Sequence, residues 1–224
     1  MAHRLSIFDM DRTITKSGTY SPWLWHWTGE RAKWRRLLLP LSALAGLAYV
    51  LRLVDRKRLK GINHWLLMGG RQSAERVATT AESFAAKIVP NECYQSALDQ
   101  IEKEKAEGRR VLLATASYAF YVRAVAERMG FEEIVATRVR RSPDGDVLAG
   151  VRGENCYADA KLRMVEQHLA TEGIDRADAH VRFFSDHHSD EPCFAWADEA
   201  YAINGKGPMI RLAKKRGWES LRWT

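Results

Sequence analysis

Cysteine is scarce in this chain. The 224 residues hold three, Cys93, Cys156 and Cys193, widely spaced and odd in number, which excludes a disulfide framework and suits a reducing compartment. Cys156 has no clear basic partner in the pattern and reads as a free thiol rather than a nucleophile. A long apolar run is also missing. The longest uncharged stretch, Leu37 to Leu51, would reach about 22 Å as a helix, against the roughly 30 Å of a bilayer core, and Pro40 and Gly46 interrupt it. A simple membrane span is therefore not expected. No secretory leader is evident, because a carboxylate-tipped apolar run occupies the first ten residues, so the expected location is cytoplasmic. Acid is nearly absent between Arg31 and Lys60. That window holds nine basic residues (Arg31, Lys33, Arg35, Arg36, Arg52, Arg56, Lys57, Arg58, Lys60) and the single acid Asp55, against a net charge of +7 for the whole chain. The basic character belongs to one element, which should meet something anionic.

What is present begins with Leu5-Ser6-Ile7-Phe8, a short apolar run that ends in Asp9 and Asp11. Residues two apart share a face of an extended chain, so both carboxylates would project together from the end of a strand. Paired acids invite a cation and allow one to attack while the other moves a proton. Three further stations follow. Val111-Leu112-Leu113-Ala114 ends in Thr115, Ala116 and Ser117; Lys161 falls early in a helical pattern; Val181 to Ser185 leads into Asp186, with Asp190 four residues on. Taken singly, an acid after a strand is usually a turn or helix cap, and a helical lysine is usually solvated. The ordered set is far more specific.

The remaining pattern alternates. A helix over 92–107 is stopped by Gly108, a helix over 118–129 is closed by Gly130, and a strand runs over 134–137. Ser142-Pro143-Asp144-Gly145 marks a hairpin within 138–152. Helix 157–171, strand 181–185, helix 190–197, strand 200–203 and a helix near 207–216 follow. Such alternation favours a parallel sheet covered on both faces, an α/β fold of the doubly wound, Rossmann-like kind. Residues 16–90 lack strand alternation and read as helices broken at Ser21-Pro22, Gly61 and Gly69-Gly70. The expected division is a core of residues 1–15 and 91–224 with an inserted helical module of residues 16–90. In a doubly wound sheet the carboxyl ends of the strands face the ligand, so Asp9, Asp11, Thr115 and Asp186 can converge.

In the order of these four motifs the chain resembles the haloacid dehalogenase superfamily of phosphohydrolases, in particular the branch containing phosphoserine phosphatase. The resemblance implies a core sheet with a small helical cap of the C1 type and an Mg²⁺-dependent phosphomonoester hydrolase. It implies Asp9 as nucleophile through an aspartyl-phosphate, and Asp11 as the acid and base. Thr115, with backbone N–H groups near Ala116, and Lys161 would bind the phosphoryl group. Asp9, the Asp11 carbonyl and Asp186 would bind Mg²⁺, with Asp190 orienting Lys161 or a metal-bound water. Three departures stand out: Arg12 replaces a frequent glycine, Thr115-Ala116-Ser117 lacks the glycine pair of phosphoserine phosphatases, and Ser185-Asp186-His187-His188-Ser189-Asp190 replaces a Gly-Asp start. Adjacent histidines in a loop tend to point apart, which favours supporting roles for His187 and His188 over zinc ligation.

The insertion should read the substrate. Trp23, Trp25, Trp27, Trp34 and Trp65, with the basic-flanked run Leu37–Leu51, suit a bilayer interface; equally, the run is the buried helix of the bundle and the tryptophans its core. The arrangement is similar to that of the bacterial phosphatidylglycerophosphatase C type. The expected partner is a phospholipid headgroup phosphate or a phosphorylated small molecule such as phosphoserine, with peripheral contact at the inner face of the membrane through the basic cap. The other classes are phosphotransfer and a non-catalytic membrane-surface module. No nucleic acid is expected, since the basic patch surrounds an apolar run and no nucleic-acid motif occurs.

Overall fold

Six strands, every pairing parallel, form the sheet that carries the site. The computed structural model of the chain describes residues 3–224. β1 (His3–Phe8) lies inside the sheet, with β3 (Arg110–Tyr118) on one side and β7 (Ala179–Ser185) on the other. β4 (Glu133–Thr137) forms one edge, while β8 (Glu199–Ile203) and β9 (Glu219–Leu221) extend the other, in the order β4-β3-β1-β7-β8-β9. Strands covered on both faces need apolar side chains on both, which is why Val111 to Ala114 form an unbroken run. In β1, Leu5 and Ile7 enter one apolar cluster with Val165, Phe183 and Phe194, whereas Phe8 enters the other with Phe131 and Trp23.

The doubly wound α/β expectation holds, and so does the hairpin, whose arms are β5 (Val139–Arg141) and β6 (Val147–Val151). The first core helix, α5 (Gln95–Ala106), starts later than the pattern suggested because Glu92 ends the preceding helix and Tyr94 donates its N–H to the Ile14 carbonyl at 2.9 Å. α6 (Ala119–Arg128), α7 (Asp159–Thr171), α8 (Glu191–Trp196) and α9 (Gly207–Arg216) fall close to their expected spans. β9 was not expected. Its sequence Glu-Ser-Leu has no apolar run, and only pairing to β8 makes it a strand.

Residues 16–90 leave and rejoin the sheet side by side, since Lys16 N–H also donates to the Glu92 carbonyl at 2.7 Å. They form α1 (Tyr20–Arg31), a 3-10 turn Lys33–Leu38, α2 (Leu39–Val50), α3 (Arg56–Leu67) and α4 (Ala74–Glu92). Ser21-Pro22 opens α1 rather than breaking a helix. Gly61 does not end α3, which continues to Leu67 capped by the Asp55 carboxylate on the Arg58 N–H; a side chain there would meet Gly150 of β6 at 3.6 Å. A two-residue strand, β2 (Arg71–Gln72), pairs with β6 and ties the insertion to the hairpin.

The two readings of the insertion's apolar residues divide. Trp23 and Trp27 are fully buried, and Trp23 stacks on Tyr121 of α6 at 5.1 Å. Trp25, Trp34 and Trp65 are exposed, and α2 buries none of its residues. Leu37–Leu51 is thus not the bundle's buried helix. The wedge of Trp23, Trp27 and Phe84 fills that place. Among the described residues no helix is long and apolar enough to cross a membrane.

Candidate active site

The segment after β1 winds around one carbonyl. Met10 O accepts N–H bonds from Thr13, Ile14 and Thr15 at 3.3, 3.0 and 3.0 Å, while Asp9 continues the ladder by donating its N–H to Phe184 O at 2.9 Å. This tight turn puts Asp9, Asp11 and Thr13 at the carboxyl end of the sheet. It also forces Arg12 to φ +68°, the left-handed region that a residue without a Cβ enters at least cost.

A cavity of about 520 Å³ opens there, between the strand ends and α3. Four acids, Asp9, Asp11, Asp186 and Asp190, and four cations, Arg12, Arg56, Lys60 and Lys161, line it. Lys161 is buried, with Nζ donating to Asp9 Oδ1 at 2.8 Å and to Asp190 Oδ2 at 2.6 Å. Burial alone would disfavour its charge, but the Asp190 and Asp9 carboxylates hold the ammonium well above its usual range. Ser185 Oγ fixes Asp190 Oδ2 at 2.7 Å. Thr13, absent from the expected site residues although it follows Asp9 and Asp11 at the same two-residue spacing, spans two acids. Its hydroxyl lies 3.0 Å from Asp9 Oδ2 and 3.4 Å from Asp186 Oδ1, and accepts the Asp186 N–H at 3.0 Å.

Burial pushes the Asp9 carboxyl up to about 7, with Asp190 and Asp186 adding to the rise and Lys161 opposing it. Asp186 rises to about 6 for the same first reason, then through Asp190. Two desolvated, mutually repelling carboxylates are a place where a divalent cation would relieve the cost of ionisation. Among the described residues no three or more His, Cys, Asp or Glu side chains are grouped so that they could hold a metal ion by themselves. A cation here would have Asp9, Asp186 and the Asp11 carbonyl to draw on, all oxygen donors, and such a small hard-oxygen set fits Mg²⁺, which keeps several of its waters.

Asp11 is held by both sides of the cleft. Its Oδ1 accepts from Thr19 N at 2.6 Å and Thr19 Oγ1 at 2.7 Å, and its Oδ2 from Ser117 Oγ at 2.7 Å. Thr19 immediately precedes α1, so the orientation of Asp11 depends on the inserted helices. Thr115 is placed differently from the expectation. It is completely buried, its Oγ1 accepts the Ser117 N–H at 3.1 Å, and the cavity wall at the end of β3 is Ala116 and Ser117. The rings of His187 and His188 do not point apart but lie 4.3 Å from each other, because a 3-10 turn follows and His187 Nδ1 accepts the Ser189 N–H at 3.1 Å.

Residues 7–195 match the haloacid dehalogenase-like hydrolases. The chain belongs to this family. Over 222 residues, 96% of the chain and 77% of the other protein, it is 27% identical to the inhibition of morphological differentiation protein of Streptomyces azureus. It is also 27% identical over 150 residues to the phosphoserine phosphatase SerB1 of Mycobacterium tuberculosis, a match covering 67% of this chain and 47% of that one. The crystal structure of a Bordetella pertussis protein of unknown function superposes with a TM-score of 0.84 at 23% identity, covering 99% of both chains. This haloacid dehalogenase-like hydrolase is thus phosphoserine phosphatase-like, an enzyme with phosphatases among its relatives.

Within the family frame, this hydrolase carries one cavity residue that its sequence conceals. Lys60, one basic residue among nine in its window, is buried and reaches from α3 to the end of β3. Its Nζ donates to the Ala116 carbonyl and, at 2.8 Å, to Asn155 Oδ1, and it lies 4.9 Å from the Tyr118 ring. Burial, then the Arg56 charge, lowers its ammonium to about 7. Only its position on the cavity side of α3, i+4 from Arg56, distinguishes it, and that side cannot be read when α3 is basic on several faces.

Proposed function

We propose that this chain is an Mg²⁺-dependent phosphomonoesterase that works in two displacements through Asp9. The observation that carries the reading is the Asp9–Lys161–Asp190 chain of contacts at the end of β1, with Asp11 two residues on and held by three donors. Asp9 attacks phosphorus, the bond to the ester oxygen breaks, and Asp11 protonates the departing alkoxide. Asp11 then takes a proton from water, whose oxygen attacks the aspartyl-phosphate; inorganic phosphate leaves and Asp9 is restored. Lys161 shields Asp9 from the dianion it must approach and, with the backbone N–H at Ala116, binds the equatorial oxygens. Mg²⁺ held by Asp9, Asp186 and the Asp11 carbonyl would supply charge neutralisation for the phosphoryl group.

Residues 16–90 act as the lid over the core of residues 1–15 and 91–224: Arg56 and Lys60 reach into the cavity from α3, and Thr19 couples the lid to Asp11. The substrate is a phosphorylated small molecule. Its finer class is a phospholipid headgroup phosphate, met at the inner face of a membrane, and the confined positive charge supports that preference. Phosphate release with Mg²⁺ across soluble and lipid esters tests both levels. Turnover lost in Asp9→Asn supports the reaction, and turnover of soluble esters with none on lysophospholipid or glycerophosphate lipids rejects the lipid class.

A further inference from the structure

α2 is a helix turned inside out. Its half-buried positions are small, Ser42, Ala45, Gly46 and Ala48, and Ser42 Oγ donates to Asn63 Oδ1 of α3 at 2.8 Å. Its large apolar side chains point away from the protein. Leu37, Leu41, Leu44, Leu47 and Leu51, spaced by three and four residues, form one outward stripe, with Leu37 80% and Leu44 59% exposed, and Val50 and Leu53 beside it are 73% and 70% exposed. A row of this length is far more than the scattered apolar side chains of an ordinary surface.

Both ends of the stripe are cationic and aromatic. At the amino end the Arg36 guanidinium lies 3.8 Å over the exposed Trp25 ring and Arg35 lies 4.7 Å from the exposed Trp34 ring, with Lys33 between them in sequence. Arg52, Lys57 and Arg58 stand exposed at the carboxyl end. Where the basic residues of this window make polar contacts, the acceptors are carbonyl, hydroxyl and amide oxygens, not carboxylates. Apart from Lys60, which is buried in the cavity wall, these cations have no carboxylate partner among the described residues, and their charge is left for an external anion. Tyr49, in the last turn of α2, lines the catalytic cavity together with Arg56, Leu59 and Asn63 of α3.

We infer that the outer face of α2 docks flat on an anionic phospholipid bilayer, with Leu41, Leu44 and Leu47 among the acyl chains and the cations at both helix ends among the headgroups. Charge complementarity selects this occupant: apolar side chains in the middle and cations with aromatic rings at both ends match the layering of a membrane surface. Docking in this pose opens the cavity, at Tyr49 and Arg56, toward the headgroup layer. That last consequence rests on the phosphomonoesterase reading; the docking itself does not.

The test is sedimentation of the full chain with vesicles of phosphatidylcholine containing phosphatidylglycerol and with vesicles of phosphatidylcholine alone. The wild type should bind the anionic vesicles and release on raising salt. Leu44→Gln/Leu47→Gln and Arg52→Gln/Arg58→Gln should each weaken binding about tenfold or more, while turnover of soluble p-nitrophenyl phosphate stays unchanged and shows that the variants fold. Indifference of the wild type to anionic vesicles overturns the inference, as does equal binding to neutral ones. A dimer of the wild type that the leucine variant dissociates, without vesicle binding, assigns the face to a second copy and also overturns it. Vesicle binding without any phosphatase activity would instead reject the proposed reaction and leave the docking intact.

Discussion

Replacing His64 by leucine should stabilise this protein, and most in acid. The side chain lies in α3, fully buried between Tyr118 at 5.8 Å and Phe120 at 5.7 Å, and neither ring nitrogen has a partner among the described residues. Burial lowers its pKa from 6.5 to about 4. Between those values the folded chain binds fewer protons than the unfolded chain. The stability carried by the neutral ring is therefore complete above the unfolded pKa and is lost as pH falls toward about 4, by about 3 kcal/mol in all. Independently, an unpaired buried polar group costs about 1–3 kcal/mol at any pH. Leucine removes both costs at similar volume. The expected gain is about 1 kcal/mol near neutrality, rising to about 3 kcal/mol near pH 5. Urea unfolding followed by circular dichroism at the two pH values measures it. Parallel loss of stability in wild type and variant on acidification would refute the reasoning, because it would mean that His64 is not the buried group that titrates.

Asp11→Asn should lower kcat/KM, which reports the first displacement, about a hundred- to ten-thousand-fold on alkyl phosphates and far less on p-nitrophenyl phosphate, whose leaving group needs no proton; equal losses of kcat/KM on the two would reject the acid role, while the base role in the shared second step lowers kcat on both. Lys60→Met should raise KM, and KM measured against pH should separate the two proteins: the wild-type ammonium, lowered to about 7, loses its charge and its pull on anions as pH rises through that value, whereas the variant has no such limb. Arg12→Gly should relieve the left-handed backbone at φ +68° and stabilise by about 1 kcal/mol in thermal unfolding, while raising KM through loss of a cavity cation.

Local rules read much of the α/β sheet before any coordinates. The apolar run ahead of Asp9 marked β1 and the unbroken run Val111 to Ala114 marked β3, since both depend on local pattern alone, whereas Asp11 reaches the same end of the sheet through the turn around the Met10 carbonyl and not through strand alternation. What escaped is set by tertiary partners. β9 becomes a strand through β8, and Thr13 becomes central because Asp186 arrives from far along the chain. Thr115 turns away from the cavity because the Ser117 N–H claims its hydroxyl. The apolar run of α2 was undecidable in principle: a helix with leucines on one side and small residues on the other is amphipathic in either orientation, and only the buried Trp23 and Trp27 show that the inside was already full.

The central claim is that Asp9 carries the phosphoryl group, and borohydride trapping during turnover tests it most directly. Acid quenching in the presence of Mg²⁺ and substrate, followed by reduction and peptide mapping, should find the Asp9 carboxyl reduced in the peptide that spans β1, and no reduction in Asp9→Asn. Steady turnover with an unmodified Asp9, or with the label on another residue, would contradict it.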